Sequence, residues 1–407
     1  MNLKNKKKVA ALLSTVLVIF ILSACTSAST ASNEYTTLEA NENISLSVAL
    51  FPYVPDVNLF KTVISEEWEK AHPDVELKFL DWNCYDNKTL TQDDADVVTF
   101  DALYLTEYAS TGQLLELDSS AISQQEDILE FVREGVKYDG KTYGAAQMIC
   151  ANLFFYREGD TELANVYNVD ELYDILGENI LDEPNPKEGQ GLAVDLSSGT
   201  GNVCFYLDAI IDAKSVYTDF AELPDLQHIN EKAVEGLNQM ILMEGRALSS
   251  KELNWAKLFG QGIGKAYIGY SETMADMNMD PSQLHVGTLS LADREDIPLF
   301  YVDIVAVNNS RAKKMSSRKR ELAIELVELM TSKDTMTKII SGGDGGACQY
   351  ILPARTGCYD TLETNFPIYT QLKAIAGQDG NHVFRMGANA HDYIDEAKKV
   401  LPHYLLQ

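Results

Sequence analysis

The chain has 407 residues, with 33 Lys and Arg against 61 Asp and Glu, a formal charge of -28 at neutral pH. So acidic a composition excludes a nucleic-acid partner, because neutralising phosphates takes clustered Lys and Arg, while its field draws in small cations. The six histidines, at 72, 228, 285, 382, 391 and 403, stand singly and no cysteine pair has metal-ligand spacing, so neither a metal nor another cofactor is expected.

The first predicted element is a secretory leader, residues 1–24. Lys4 and Lys6 to Lys8 precede an apolar run that is too short for a membrane-spanning helix. Ser23 and Ala24 before Cys25 resemble the lipobox of bacterial lipoproteins, in which the cysteine becomes the lipid-bearing first residue. Residues 25–43, "TSASTASNEYTTLEANEN" after the cysteine, hold nothing that builds a core and read as a tether. The expectation is an exported monomer, secreted or held at the cell surface, that touches membrane only through the lipid on Cys25.

Residues 44–407, about 364 in all, exceed what one core usually serves, so two lobes are expected. "ISLSVALF" alternates as a strand. "NLFKTVISEEWEK" sets Leu59, Phe60, Val63, Ile64 and Trp68 on one helical face before His72-Pro73 stops it. "VELKFLDW" returns as a strand, and "ADVVTFDALYL" is apolar enough to be a strand buried on both faces of a largely parallel sheet. The stretch 141–156 is long for one strand, as a segment passing between lobes would be. A second block follows: "GLAVDLSSGTG" as strand and turn, "NVCFYLDAIIDA" as helix, "GKAYIGYSE" and "LHVGTLSL" as strands. "IPLFYVDIVAVN" is the natural return crossing, "RKRELAIELVELMTSKD" an amphipathic helix, and the stretch from Phe366 to Leu406 mostly helical. The expected fold is α/β, with lobes of 44–147 plus about 305–345 and of 148–304 plus about 346–407 around a cleft, the architecture of extracellular solute-binding proteins. "FGQGIGKAY" lacks the spacer and the Ser/Thr of a phosphate loop and reads as a turn.

Cys150 sits in "AAQMICANLFFYREGD", a stretch of small, apolar and aromatic residues. A thiol reacts as thiolate and needs a base or a positive neighbour. No histidine lies near, but carboxylates do: Asp101 in "VVTFDALYL", Glu272 at the end of "AYIGYSE" and Asp303 in "LFYVDIVAVN". A carboxylate within an apolar strand is costly unless paired, and three of them beside aromatic residues favour a cleft. Besides Cys25 and Cys150, the thiols Cys84, Cys204, Cys348 and Cys358 read as packing residues, with a disulfide among them left open.

The segments "DWNCY", "VVTFDALYL", "QMICANLFFYREGD", "IGYSETM", "DIPLFYVDIVAVN", "LPAR" and "HVFRMG" resemble, in order from about Val48 to Pro402, those of the bacterial thiaminase I (thiamine pyridinylase) family. The resemblance implies a type II periplasmic-binding-protein fold and a transferase that displaces the thiazole of thiamine with an amine, pyridine or thiol acceptor. It places the nucleophile on Cys150 and its base on Glu272. It assigns Asp101 and Asp303 to the thiamine site, with Tyr85, Tyr270, Tyr301 and Tyr53 as aromatic walls; Phe51 stands where family members can carry tyrosine. A non-catalytic lipoprotein that delivers thiamine or a pyrimidine to an importer would share this fold. The pair Cys150 and Glu272 separates the two, since a receptor needs no nucleophile.

Overall fold

In the computed structural model of the chain the described residues are 44–118, 120–179, 188–245 and 253–406. The expected leader, the lipid-bearing Cys25 and the tether lie outside them. Thirteen strands are named here in chain order: β1 (Ser45–Ala49), β2 (Glu76–Phe79), β3 (Val97–Asp101), β4 (Lys137–Tyr138), β5 (Lys141–Thr142), β6 (Ala145–Cys150) and β7 (Leu153–Arg157). After them come β8 (Glu188–Val194), β9 (Gly264–Gly269), β10 (Leu284–Gly287), β11 (Leu299–Val307), β12 (Leu352–Pro353) and β13 (His382–Val383).

Two sheets organise these strands. The larger runs β12-β6-β11-β3-β1-β2, with β13 against β11, and the smaller runs β10-β7-β9-β8. In the larger sheet β1 is parallel to β2 and β3, whereas β11 is antiparallel to both β3 and β6. The sheet is therefore mixed and not largely parallel. β11 explains why: it returns from the other sheet and inserts between β3 and β6. All nine of its residues are buried, as a central strand requires.

The first crossover shows how local sequence builds this frame. Asp56 caps the helix Val57–Ala71, its carboxylate accepting from the Asn58 and Leu59 N–H groups at 3.0 Å each. The helix buries Phe60, Val63, Ile64 and Trp68, each contributing about 1.5–3 kcal/mol by leaving water. Leu59 is only partly covered. The Trp68 indole N–H donates to the Val75 carbonyl at 3.0 Å, so the chain turns at His72-Pro73 directly into β2.

The strand predicted across "VVTFDALYL" ends earlier than its apolar run suggests. β3 stops at Asp101, whose carboxylate accepts from the Leu103 N–H at 2.9 Å and turns the backbone into a short 3-10 segment and the helix Leu105–Ser110. The expected lobe boundaries at 147/148 and 304/305 fall inside β6 and β11, both of which lie wholly in the larger sheet because they pair with each other. The chain changes sheets at Ala151-Asn152, between β6 and β7, and again between Gly287 and Leu299. β12 and β13 also bring parts of the C-terminal stretch onto the larger sheet.

The helices Glu231–Glu244 and Trp255–Gly260 pack on the smaller sheet, and outside the first of them lies the helix Gly199–Lys214, capped by Ser198 and buried along much of its length. Asp212 on this helix is fully buried and accepts from the Leu291 and Ile297 N–H groups, at 2.7 and 3.0 Å. It fixes the segment on which the chain leaves the smaller sheet. No helix among the described residues is long and apolar enough to cross a membrane.

Candidate active site

Strand register assembles the centre of the site. On β11, Tyr301 and Asp303 are two residues apart and share a face. Tyr301 is the partner of Cys150 at the end of β6, and Asp303 is the partner of Asp101 at the end of β3. Partners directly opposite in an antiparallel pair point to the same side. Thiol, phenol and two carboxylates thus share one face of the larger sheet, at the edge where the chain crosses to the smaller one.

The smaller sheet supplies the next layer. Leu153, three residues after Cys150, pairs with Gly269 of β9. Immediately beyond β9 come Tyr270 and Glu272, the latter in a 3-10 turn. The ring of Tyr270 meets that of Tyr301 edge to face, 5.9 Å between centroids at 86°. The Ser271 hydroxyl donates weakly to Glu272 at 3.4 Å.

Aromatic residues wall the opposite side. Phe51, Tyr53 and Tyr85 form a triangle with centroids 5.7 to 6.2 Å apart. Tyr53 is exposed, at 59%, and its hydroxyl accepts from the Asn83 amide at 3.0 Å. Tyr85 is tied inward, its hydroxyl donating to Asp101 at 2.8 Å. A flat cation placed between such faces gains about 2 kcal/mol where water is excluded.

The electrostatics are those of carboxylates crowded in a cleft. Burial raises Asp101 to about 6, against the hydrogen bonds from Leu103 and Tyr85. Asp303 is pushed well above the carboxylate range by burial, then by the charges of Asp101 and Glu272. Glu272 rises to about 7, again through burial. The Cys150 thiol is held protonated first by burial and then by Glu272, Asp303 and Asp101, each of which disfavours a neighbouring thiolate. The structure therefore contains a neutral thiol within the influence of a carboxyl group that titrates near neutrality.

The structure brings Cys150, Tyr301, Asp303 and Asp101 together by register, sets Tyr270 against Tyr301 with Glu272 two residues on, and joins Phe51, Tyr53 and Tyr85 to them through Asp101; Cys25 is not among the described residues. Sequence reasoning missed several others. Phe384 packs its edge on Tyr301 at 5.2 Å, and Tyr104 stands edge-on to Tyr85 at 5.7 Å. Asp208, whose carboxyl is raised by burial and eased by Asn152, is close enough to influence Tyr301. Phe384 lies in "HVFRMG" and Tyr104 in "FDALYL", segments whose apolar residues alone read as core. The thiols at 84, 150, 204, 348 and 358 are all free.

A two-sheet solute-binding fold with a thiol and carboxylates in its cleft defines a class: a binding-protein scaffold that carries the groups of an enzyme. The fold alone is shared with an ABC substrate-binding protein from Listeria monocytogenes in complex with cycloalternan, 16% identical, TM-score 0.64, covering 89% of this chain and 95% of that one. Residues 151–292 match the family model described as the thiaminase-1 domain. A thiaminase-1 from Paenibacillus thiaminolyticus is 37% identical over 374 residues, 90% of each chain. The structure of Clostridium botulinum thiaminase I in complex with thiamin is 38% identical with a TM-score of 0.85, covering 89% of this chain and all of that one. This chain belongs to the thiaminase-1 family.

Proposed function

We propose that the protein is a thiamine-degrading transferase that uses Cys150 as nucleophile and Glu272 as its base. The observation that carries this reading is the shared sheet face of Cys150, Tyr301, Asp303 and Asp101, with Glu272 delivered from the adjoining sheet. The Clostridium relative holds thiamin in its crystal structure.

In the proposed reaction the positive thiazolium of thiamine rests against Phe51, Tyr53 and Tyr85 and is balanced by the carboxylates of the cleft. Protonated Asp303 donates to a pyrimidine nitrogen while ionised Asp101 accepts from the amino group, so negative charge building on the ring is stabilised. The Cys150 sulfur adds to the ring carbon next to a nitrogen as Glu272 takes its proton, forming a C–S bond and removing the ring's aromaticity. The ring's electron pair then expels the thiazole nitrogen from the bridging methylene. An amine, pyridine or thiol adds to that methylene, the C–S bond breaks, the ring regains aromaticity, and the sulfur recovers a proton from Glu272. One displacement is thereby divided into easier steps. Two lobes built on the two sheets would close over the substrate and limit competition from water.

The expected leader and Cys25 complete the reading as an exported, lipid-tethered monomer, for which a diacylglycerol mass on Cys25 in membrane extracts is the check. The activity test mixes purified protein, thiamine and aniline and follows free thiazole by chromatography. Cys150→Ala should keep thiamine affinity within about tenfold and lose turnover. Release of thiazole at the parental rate by that variant, or a pyrimidine inactivator found by mass spectrometry on another side chain, would remove Cys150 from the role.

A further inference from the structure

The turn that carries Tyr85 is held locally, Asn83 Oδ1 accepting from the Tyr85 N–H at 3.0 Å and the Asn87 carbonyl accepting from the Tyr108 hydroxyl, and a further hold reaches it from the far end of the chain. His391, at the start of the helix Ala390–Val400, is 4% exposed. Its Nε2 lies 2.7 Å from the Cys84 carbonyl oxygen. A carbonyl only accepts, so Nε2 carries the proton and donates. On the other side of the ring Nδ1 lies 3.0 Å from Glu107 Oε2, which also accepts from the His391 backbone N–H at 3.2 Å. The imidazole stacks on Tyr104, centroids 3.8 Å apart at 16°, and Tyr104 stands edge-on to Tyr85. The ring is thus fixed on three sides and has one free function, to hold the Cys84 carbonyl.

Cys84 is the neighbour of Tyr85, whose hydroxyl bonds to Asp101. The same C-terminal helix takes hold of this turn again through Lys88, which pairs with Asp392 at 2.5 Å and Asp395 at 3.4 Å. Its other side packs on the helix Gly199–Lys214, which packs in turn on the helix Glu231–Glu244 beside β8 of the smaller sheet. The helix therefore links the aromatic wall on the larger sheet to the body of the smaller one.

We propose that His391 is a positioning residue for the thiamine cleft: by donating to the Cys84 carbonyl it holds Tyr85, and through Tyr85 the carboxylate of Asp101, in the orientation that receives the substrate. This rests on the reading of the cleft as a thiamine site. The Tyr108 hydroxyl also reaches the Cys84 carbonyl, but at 3.4 Å, too long to replace the imidazole.

The test is a kinetic cycle on the full chain with thiamine and aniline. His391→Ala should raise KM for thiamine about tenfold, the value of one buried hydrogen bond, with kcat within about threefold because no proton of the reaction passes through this ring. His391→Gln, whose amide can still donate to the Cys84 carbonyl, should recover most of the loss. Combined with Tyr85→Ala, the His391→Ala change should add nothing, since its effect acts through that side chain. Should His391→Ala fail to fold by thermal melting, Glu107→Ala, which removes the group that holds Nδ1, replaces it in the cycle, with the same KM-selective and non-additive pattern expected. Parental KM in the folded variant, an equal loss in kcat, or additivity with Tyr85→Ala overturns the proposal. Parental kinetics for Tyr85→Ala alone would instead overturn the assignment of the aromatic wall.

Discussion

Asp303 stands directly opposite Asp101 across the β11–β3 pairing, two buried carboxyl groups in register on one face of a sheet. Both cannot be ionised cheaply at that distance. Asp101 titrates near 6 and Asp303 well above its ordinary range, so at neutral pH the pair holds one charge and one proton. In the proposed reaction their roles separate accordingly, Asp101 accepting and Asp303 donating. Asp303→Asn keeps a neutral donor and should retain kcat/KM within about tenfold. Asp303→Ala leaves a ring nitrogen without a partner and should lose roughly 10- to 100-fold. Steady-state kinetics on the two variants check the order.

Glu272 acts as a base only when ionised, and its folded pKa is about 7. The rate of thiazole release should therefore climb with pH through about 7 and level off above it, falling close to tenfold for each unit below. Glu272→Gln should slow turnover by about 10²–10⁴-fold while thiamine affinity stays largely intact. A parental pH profile in that variant would exclude the glutamate as base.

Stability should fall as pH rises over the same range. Asp212 and Asp296 have folded values of about 7 and about 6, and Asp208 is also raised, in each case first by burial. The native state holds these protons more tightly than the unfolded chain. Their contribution is complete below the unfolded carboxylate pKa of about 4 and is lost as pH rises through the folded values. The unliganded protein should melt several degrees higher at pH 5 than at pH 7.5. Asp296→Asn removes one titrating group and should make this dependence shallower; the buried Oδ2 it replaces has no hydrogen-bond partner among the described residues. Scanning calorimetry across pH reads both effects.

Gly236 sets helix propensity against packing. It lies inside the helix Glu231–Glu244, where alanine would ordinarily gain up to about 1 kcal/mol. A Cβ at this position would stand 2.0 Å from the Leu291 carbonyl oxygen, on the segment that Asp212 anchors. Backbone has to move, at a cost of about 1–3 kcal/mol or more, so the steric term prevails. Gly236→Ala should lower the denaturant midpoint, and a rise would show that this segment yields freely.

Much of the frame is legible in single segments. The periodicity of 59–68 and the closed apolar run of 299–307 give a helix and a central strand, because burial of one face or of both leaves a local pattern. Cys150 stands out as a thiol in an apolar strand, which ends at it just before the chain changes sheets. What no local pattern holds is the register that sets Cys150, Tyr301, Asp303 and Asp101 together, since it joins strands up to about 200 residues apart in sequence. Asp101 as the residue that ends β3 is hidden for a related reason: the apolar residues after it belong to a helix that buries them equally well. His391 carries no signal at all, because a lone histidine has no spacing to interpret.

The protonated Cys150 bears on how the enzyme would withstand oxidants if, as its sequence leads one to expect, it is exported. Peroxides and general alkylating agents attack thiolates, so a sulfur stored as its acid among carboxylates reacts slowly with both. Thiamine, by contrast, brings positive charge that relieves the crowding of anions as it enters. On the proposed mechanism the vitamin arms the sulfur that destroys it, and positively charged pyrimidine analogues should label this protein far faster than iodoacetamide of the same concentration.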